Sequence, residues 1–187
     1  MDKFSWWKKV LVIVVLVVAV IPPLSLTEWA CDTYYCWARK HTDSGFATWL
    51  FYTVGRIHDF MGRDDKAVMV YGDFYETYKA PSMADVESED ERVAKARYRL
   101  AMALYDRDRK SDVDWEAAHR CLHYFAVKYA GTTRADNEDV RKAQEYKVQC
   151  EIDGKEYGYP KLNQNVYPPE YSPAYEPFGS ALPSPCD

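Results

Sequence analysis

His119 and His123 stand four residues apart, the spacing that puts two imidazoles on one face of a helix, where they can share a metal ion. Glu116 lies one turn earlier on the same side, but no HExxH motif accompanies them, and histidine pairs also arise on ordinary helix surfaces. They remain the weak candidate metal pair of the chain. His58 and Asp59 form a candidate acid–base couple, although adjacent residues on a helix point apart. His41 follows Cys36 closely enough for an imidazole to activate a thiol; placement in a loop is the plainer reading. GxSxG, Walker and GxGxxG motifs are absent, and carboxylates gather in solvated runs such as Glu87–Glu91. These residues predict no active site, no cofactor and a protein that is not an enzyme.

The five cysteines, Cys31, Cys36, Cys121, Cys150 and Cys186, form no CxxC pair and no zinc pattern. Outside the cytoplasm they would form one or two disulfides, with at least one thiol left over. Two pairings suggest themselves. Cys31 with Cys36 would close a small loop near the membrane, and Cys121 with Cys150 would staple the last helical hairpin. The net charge of −5 gives no basic patch and no reason to expect nucleic acid.

What positions these residues is a chain of mean hydropathy −0.48 with one local exception. Val10–Ile21 is an unbroken apolar run, preceded by Trp6 and Trp7 and followed by Pro22-Pro23 and Trp29. A helix from Trp7 to Trp29 rises about 33 Å at about 1.5 Å per residue, which matches a bilayer with aromatic belts at both faces. The expectation is an uncleaved transmembrane anchor at 1–30 with Trp6, Trp7 and Trp29 at the interfaces. Lys3, Lys8 and Lys9 precede the run, and Glu28 and Asp32 follow it. The positive-inside rule then puts the N-terminus in the cytoplasm and the domain on the extracytoplasmic, periplasmic side of an inner, cytoplasmic-type membrane.

Residues 31–44 read as a membrane-proximal linker and 45–150 as an all-α domain. Helices are predicted over 45–61, 64–79, 90–106, 114–129 and 135–150, with breaks at Gly62, Pro81-Ser82 and Gly131. One spacing recurs. Ala67, Tyr71, Phe74 and Tyr78 fall at i, i+4, i+7, i+11, and so do Ala94, Tyr98, Ala101, Tyr105 and Ala118, Leu122, Phe125, Tyr129. On a helix each set is one face. A small residue lets the next helix approach, and aromatics fill the groove beyond it.

The run Ala67–Tyr78, then Pro81-Ser82, then Ala94, Ala96, Tyr98, Leu100 and Ala101 resembles a tetratricopeptide repeat, and Asp114-Trp115 through Tyr129 resembles a second closing helix. The flavour is similar to periplasmic envelope proteins of that family, such as the barrel-assembly lipoprotein and the Tol-Pal coordinator. Lys79 and Ala130 stand where the family often has proline. The resemblance implies stacked helical hairpins that work through protein–protein contacts.

After Cys150 the composition changes. Tyr157, Tyr159, Tyr167, Tyr171, Tyr175 and Phe178 alternate with prolines over 151–187. This predicts an extended strap that lies along a partner, since proline lowers the entropy lost on binding and tyrosine supplies contact area. The expected function is a non-catalytic, membrane-anchored accessory or scaffold subunit of a large multi-subunit membrane complex of respiratory, photosynthetic, secretion or motor type. Its partners would be integral membrane subunits and the lipid bilayer. The alternative is a periplasmic tetratricopeptide binding module of cell-envelope biogenesis that recruits client proteins or peptides.

Overall fold

A computed structural model describes residues 26–80, 83–106, 112–156 and Cys186. The described chain is all-α, with six helices: α1 Glu28–Lys40, α2 Gly45–Phe60, α3 Asp64–Tyr78, α4 Glu91–Asp106, α5 Asp112–Tyr129 and α6 Asn137–Glu156. A 3-10 turn, Met83–Ser88, lies between α3 and α4. Each helix packs chiefly against its neighbours in sequence. Short connections turn the chain back on itself, so alternate helices run parallel. Lys66 of α3 meets Asp32 of α1 at 3.2 Å, and Arg39 meets Asp73 seven residues further on at 3.8 Å. The result is a row of antiparallel hairpins. The core lies along the row, not at one centre.

The repeated stripe is the core face. Ala67, Tyr71 and Phe74, Ala94 and Ala101, and Ala118, Leu122, Phe125 and Tyr129 are all buried, while Tyr78, Tyr98 and Tyr105 pack against the core from its margin. Small residues permit close approach. A Cβ on Gly55 would stand 2.6 Å from the Tyr71 ring, so α2 can lie this near α3 only because no side chain intervenes. Gly62 ends α2 at φ +65°. Its N–H donates to Asp59 O (3.0 Å) and that of Arg63 to His58 O (2.9 Å), the two bonds of a Schellman cap. Gly131 takes φ +73° just after α5.

Residues 31–44 are not a linker. Most of them form α1, whose N-cap Thr27 accepts a hydrogen bond from Ala30 N at 3.3 Å. Glu28 opens the helix and Arg39 and Lys40 close it, each charge complementing the helix dipole. Cys31, Tyr35 and Ala38 repeat the i, i+4, i+7 stripe and are buried on α2. The helical domain therefore begins at residue 28, inside the span expected for the anchor, and α6 carries it six residues past Cys150. Among the described residues no helix is long and apolar enough to cross a membrane. The expected anchor up to residue 25, with Trp6 and Trp7, lies outside the described residues, and so do Tyr157, Tyr159, Tyr167, Tyr171, Tyr175 and Phe178 of the tail.

Candidate functional site

Most large apolar side chains of the row are buried, but the first hairpin leaves an aromatic ladder in solvent. Trp37, late in α1, stacks on His41 with ring centroids 4.4 Å apart, and His41 Nδ1 lies 2.7 Å from Trp37 O. Phe46 meets the Trp37 edge at 5.9 Å and stacks on Trp49 at 5.7 Å. Trp37 is 40% exposed, Phe46 59% and Trp49 50%. Each ring of the ladder packs on the next, yet one side of it has no cover among the described residues. Exposed tryptophan and phenylalanine on a preorganised surface cost little entropy to dock and bury much area, which is the chemistry of an interaction hot spot.

Trp49 also lines an open cleft of about 480 Å³ with Leu26, Tyr52, Thr53, Arg56, Ile57, Phe60 and Arg92. Its walls are apolar and two guanidinium groups stand at its rim. Arg92 is tied to Asp90 at 2.8 Å, and Arg56 is exposed. The cleft suits an apolar side chain with a carboxylate or carbonyl nearby.

A second polar assembly is wholly interior. Glu89, just after the 3-10 turn, accepts from Lys128 Nζ at 2.5 Å, Ala80 N at 2.6 Å and Tyr129 OH at 2.7 Å. Lys128 Nζ also donates to Tyr75 OH at 3.3 Å. The Arg97 guanidinium lies over the Tyr75 ring at 4.6 Å and the Tyr124 ring at 5.6 Å. Burial pushes the Tyr75 and Tyr129 phenols upward, so both remain neutral, Tyr75 OH accepting from Lys128 and Tyr129 OH donating to Glu89. Glu89, Arg97 and Lys128 are all buried, and the assembly locks α3, α4, α5 and the turn together.

The sequence candidates for chemistry are dispersed. His119 Nε2 lies 3.0 Å from Glu151 Oε1, and Lys147 reaches the same carboxylate at 3.6 Å. Burial first, then Lys147 and His119, hold His123 below the usual imidazole value. A cation already occupies this face, and the described residues hold no group of three His, Cys, Asp or Glu side chains fit for a metal. Asp59 turns away from His58 to accept from Arg99 (2.8 Å) and Tyr71 (3.3 Å). His41 is stacked on Trp37, while Cys36 is bonded elsewhere.

That bond corrects both expected cysteine pairings. Cys36 is joined to Cys186, while Cys31, Cys121 and Cys150 are buried thiols. Cys31 and Cys36 lie five residues apart on one helix, about 140° around it, and cannot meet. His119 faces α6. Cys121, two residues on, turns about 200° away from it, toward Arg97, which opposes the rise in thiol pKa that burial causes. Cys150 sits instead near Asp153, and burial pushes it up to about 12.

His58 yields a pH effect. It is fully buried, neither ring nitrogen has a hydrogen-bond partner, and burial, followed by Arg63, lowers its pKa to about 4. Between 6.5 and about 4 the unfolded chain binds a proton that the folded chain refuses, so stability falls as pH falls. The loss is about 3 kcal/mol in all, about 2 of it by pH 5. His58→Leu should stay close to wild-type stability at pH 7 and lose less than wild type between pH 7 and 5 in urea titrations. Equal losses would show that His58 does not carry the effect.

No family model, curated protein or solved structure matches this chain. Its functional reading rests on its own geometry.

Proposed function

We propose that this chain is a non-catalytic, membrane-anchored accessory or scaffold subunit of a multi-subunit membrane complex, built on tetratricopeptide-like hairpins. The observation that carries the reading is the exposed ladder Trp37–Phe46–Trp49 on the first hairpin. The apolar run Val10–Ile21 and the lysines before it support a single-pass anchor with a cytoplasmic N-terminus. The Cys36–Cys186 disulfide supports an oxidising, extracytoplasmic compartment for the domain. It also tethers the Tyr/Pro tail at both ends to the helical row.

The test is purification of the full chain from native membranes in mild detergent, beside Phe46→Ala and Trp49→Ala variants. Integral membrane subunits should co-migrate with wild type at fixed ratio. Each variant should weaken that association about 30-fold, as expected for an interface hot spot of about 2 kcal/mol. A wild-type chain that runs as a lone monomer would sink the reading.

The cleft beside Trp49 favours a second reading, a periplasmic module of envelope biogenesis that takes client segments. Its mark would be a substoichiometric scatter of secreted or outer-membrane clients in the same purification.

A further inference from the structure

Among the described residues, two of the most exposed large apolar side chains are not part of the ladder. Trp29 is 78% exposed and Phe60 is 84% exposed, and Met61 beside Phe60 is 43% exposed. Trp29 sits in the first turn of α1 and Phe60 ends α2. The two helices are antiparallel, so these side chains share one end of the hairpin. Leu26 and Phe60 line the same cleft with Ile57, and Arg63 Nη2 donates to Leu26 O at 3.2 Å, which clamps the start of the described chain to the end of α2. The ladder begins at the other end, with Trp37 late in α1 and Phe46 at the start of α2. A helix the length of α1 separates the two ends by about 20 Å.

We infer that this end, made of Leu26, Trp29, Ile57, Phe60 and Met61, rests in the interfacial layer of the bilayer, a second membrane contact beyond the anchor. The inference rests on the anchor reading above. The apolar run ends at Ile21, five residues before Leu26. Five residues reach at most about 18 Å, so the hairpin end is tethered within that distance of the end of the apolar run. The headgroup layer beyond the hydrocarbon edge is about 5–7 Å deep, and tryptophan is enriched there because its ring is apolar and its N–H is polar. A tether this short limits the hairpin to positions beside the membrane.

Asp64 and Asp65 open α3 at this end, while three further carboxylates carry cationic partners. Glu28 and Asp32 are paired with Lys66 at 3.5 and 3.2 Å, and Asp59 with Arg99 at 2.8 Å. Arg56 is exposed at the cleft and is placed to meet lipid phosphate. An opposite partition follows for the hairpin as a whole. Its proximal end meets lipid and its distal ladder meets protein.

The experiment uses the full chain in nanodiscs. Phe60→Cys is labelled with an environment-sensitive fluorophore, and Val148→Cys on α6 serves as an exposed control. The buried thiols Cys31, Cys121 and Cys150 are shielded from the reagent. Lipids carry bromine on the upper acyl chain. The label at 60 should emit at shorter wavelength than the label at 148 and lose most of its emission to bromolipid, while the label at 148 should keep its own. A water-like, unquenched label at 60 would overturn the inference, as would a blue-shifted label that bromolipid leaves unquenched, which would mean that protein covers the patch. Alkaline carbonate extraction of wild-type membranes is read separately. Release of the chain would refute the anchor itself, whereas retention with an unquenched label would refute only the second contact.

Discussion

Glu89→Ala should destabilise the domain by about 3–5 kcal/mol, the cost of leaving a buried charge without its partner. The Lys128 side chain is 3% exposed and that of Glu89 1%, so water cannot replace either group. Removal of the carboxylate also orphans Tyr129 OH and Ala80 N, both of which donate to it. For a domain of this size the loss lowers the melting midpoint by roughly 10 °C. The double variant Glu89→Leu/Lys128→Met should recover the part of that loss due to the unpaired Lys128, because a buried pair replaced together by apolar groups is often neutral, while Tyr129 OH and Ala80 N stay without their acceptor. Thermal denaturation of the detergent-solubilised chain, followed by circular dichroism, reads all the variants. A single-variant loss under about 1 kcal/mol, or a double variant no better than the single, would mean that the pair does not lock the helices as the geometry says.

Cys36→Ser should lower stability by about 2–4 kcal/mol. The bond closes a loop of sequence separation 150, and on chain entropy alone a loop of that length is worth about 5 kcal/mol in the unfolded state. The effect is large because contacts in a row of hairpins are mostly local, and the disulfide links the first helix to the far end of the chain. Cys186→Ser should match Cys36→Ser, and the double variant should lose no more than either, since one bond is removed in each case. A reductant should shift the wild-type midpoint and leave the variants unmoved. Peptide mapping without reduction should recover one cross-linked species containing Cys36 and Cys186. Five free thiols, or a Cys36→Ser midpoint equal to wild type, would refute the linkage.

The helical row was legible because its code is local. Each stripe, opened by a small residue and closed by a tyrosine at i, i+4, i+7, i+11, specifies a face without reference to the rest of the chain, and Gly62 and Gly131 mark stops through backbone geometry that other residues resist. The five predicted helices of the domain agree with α2–α6 at most boundaries to within two residues. Cys31, Tyr35 and Ala38 carry the same code in α1. That helix is masked in the sequence because it follows directly on the apolar run and holds only three core positions of the stripe.

The interaction surface was less legible. Periodicity separates buried from outward positions, but it does not say which outward aromatics will find a neighbour. Phe46 and Trp49 sit on the outward side of α2 by spacing alone; that they stack with Trp37 of another helix follows only from how the hairpin closes. The same limit governs the charges. Glu89 read as one of a solvated acidic run, and only the docking of α5 over the 3-10 turn buries it against Lys128.

By itself, then, the sequence determined the helices, their stops and their core faces, because these depend on residues within a turn or two of each other. Tertiary structure decided the Cys36–Cys186 bond, the burial of Glu89 and His58, and the two exposed apolar ends of the first hairpin. Each of these joins residues far apart in the chain, and their meeting is set by the packing of one helix on the next, which no local spacing encodes.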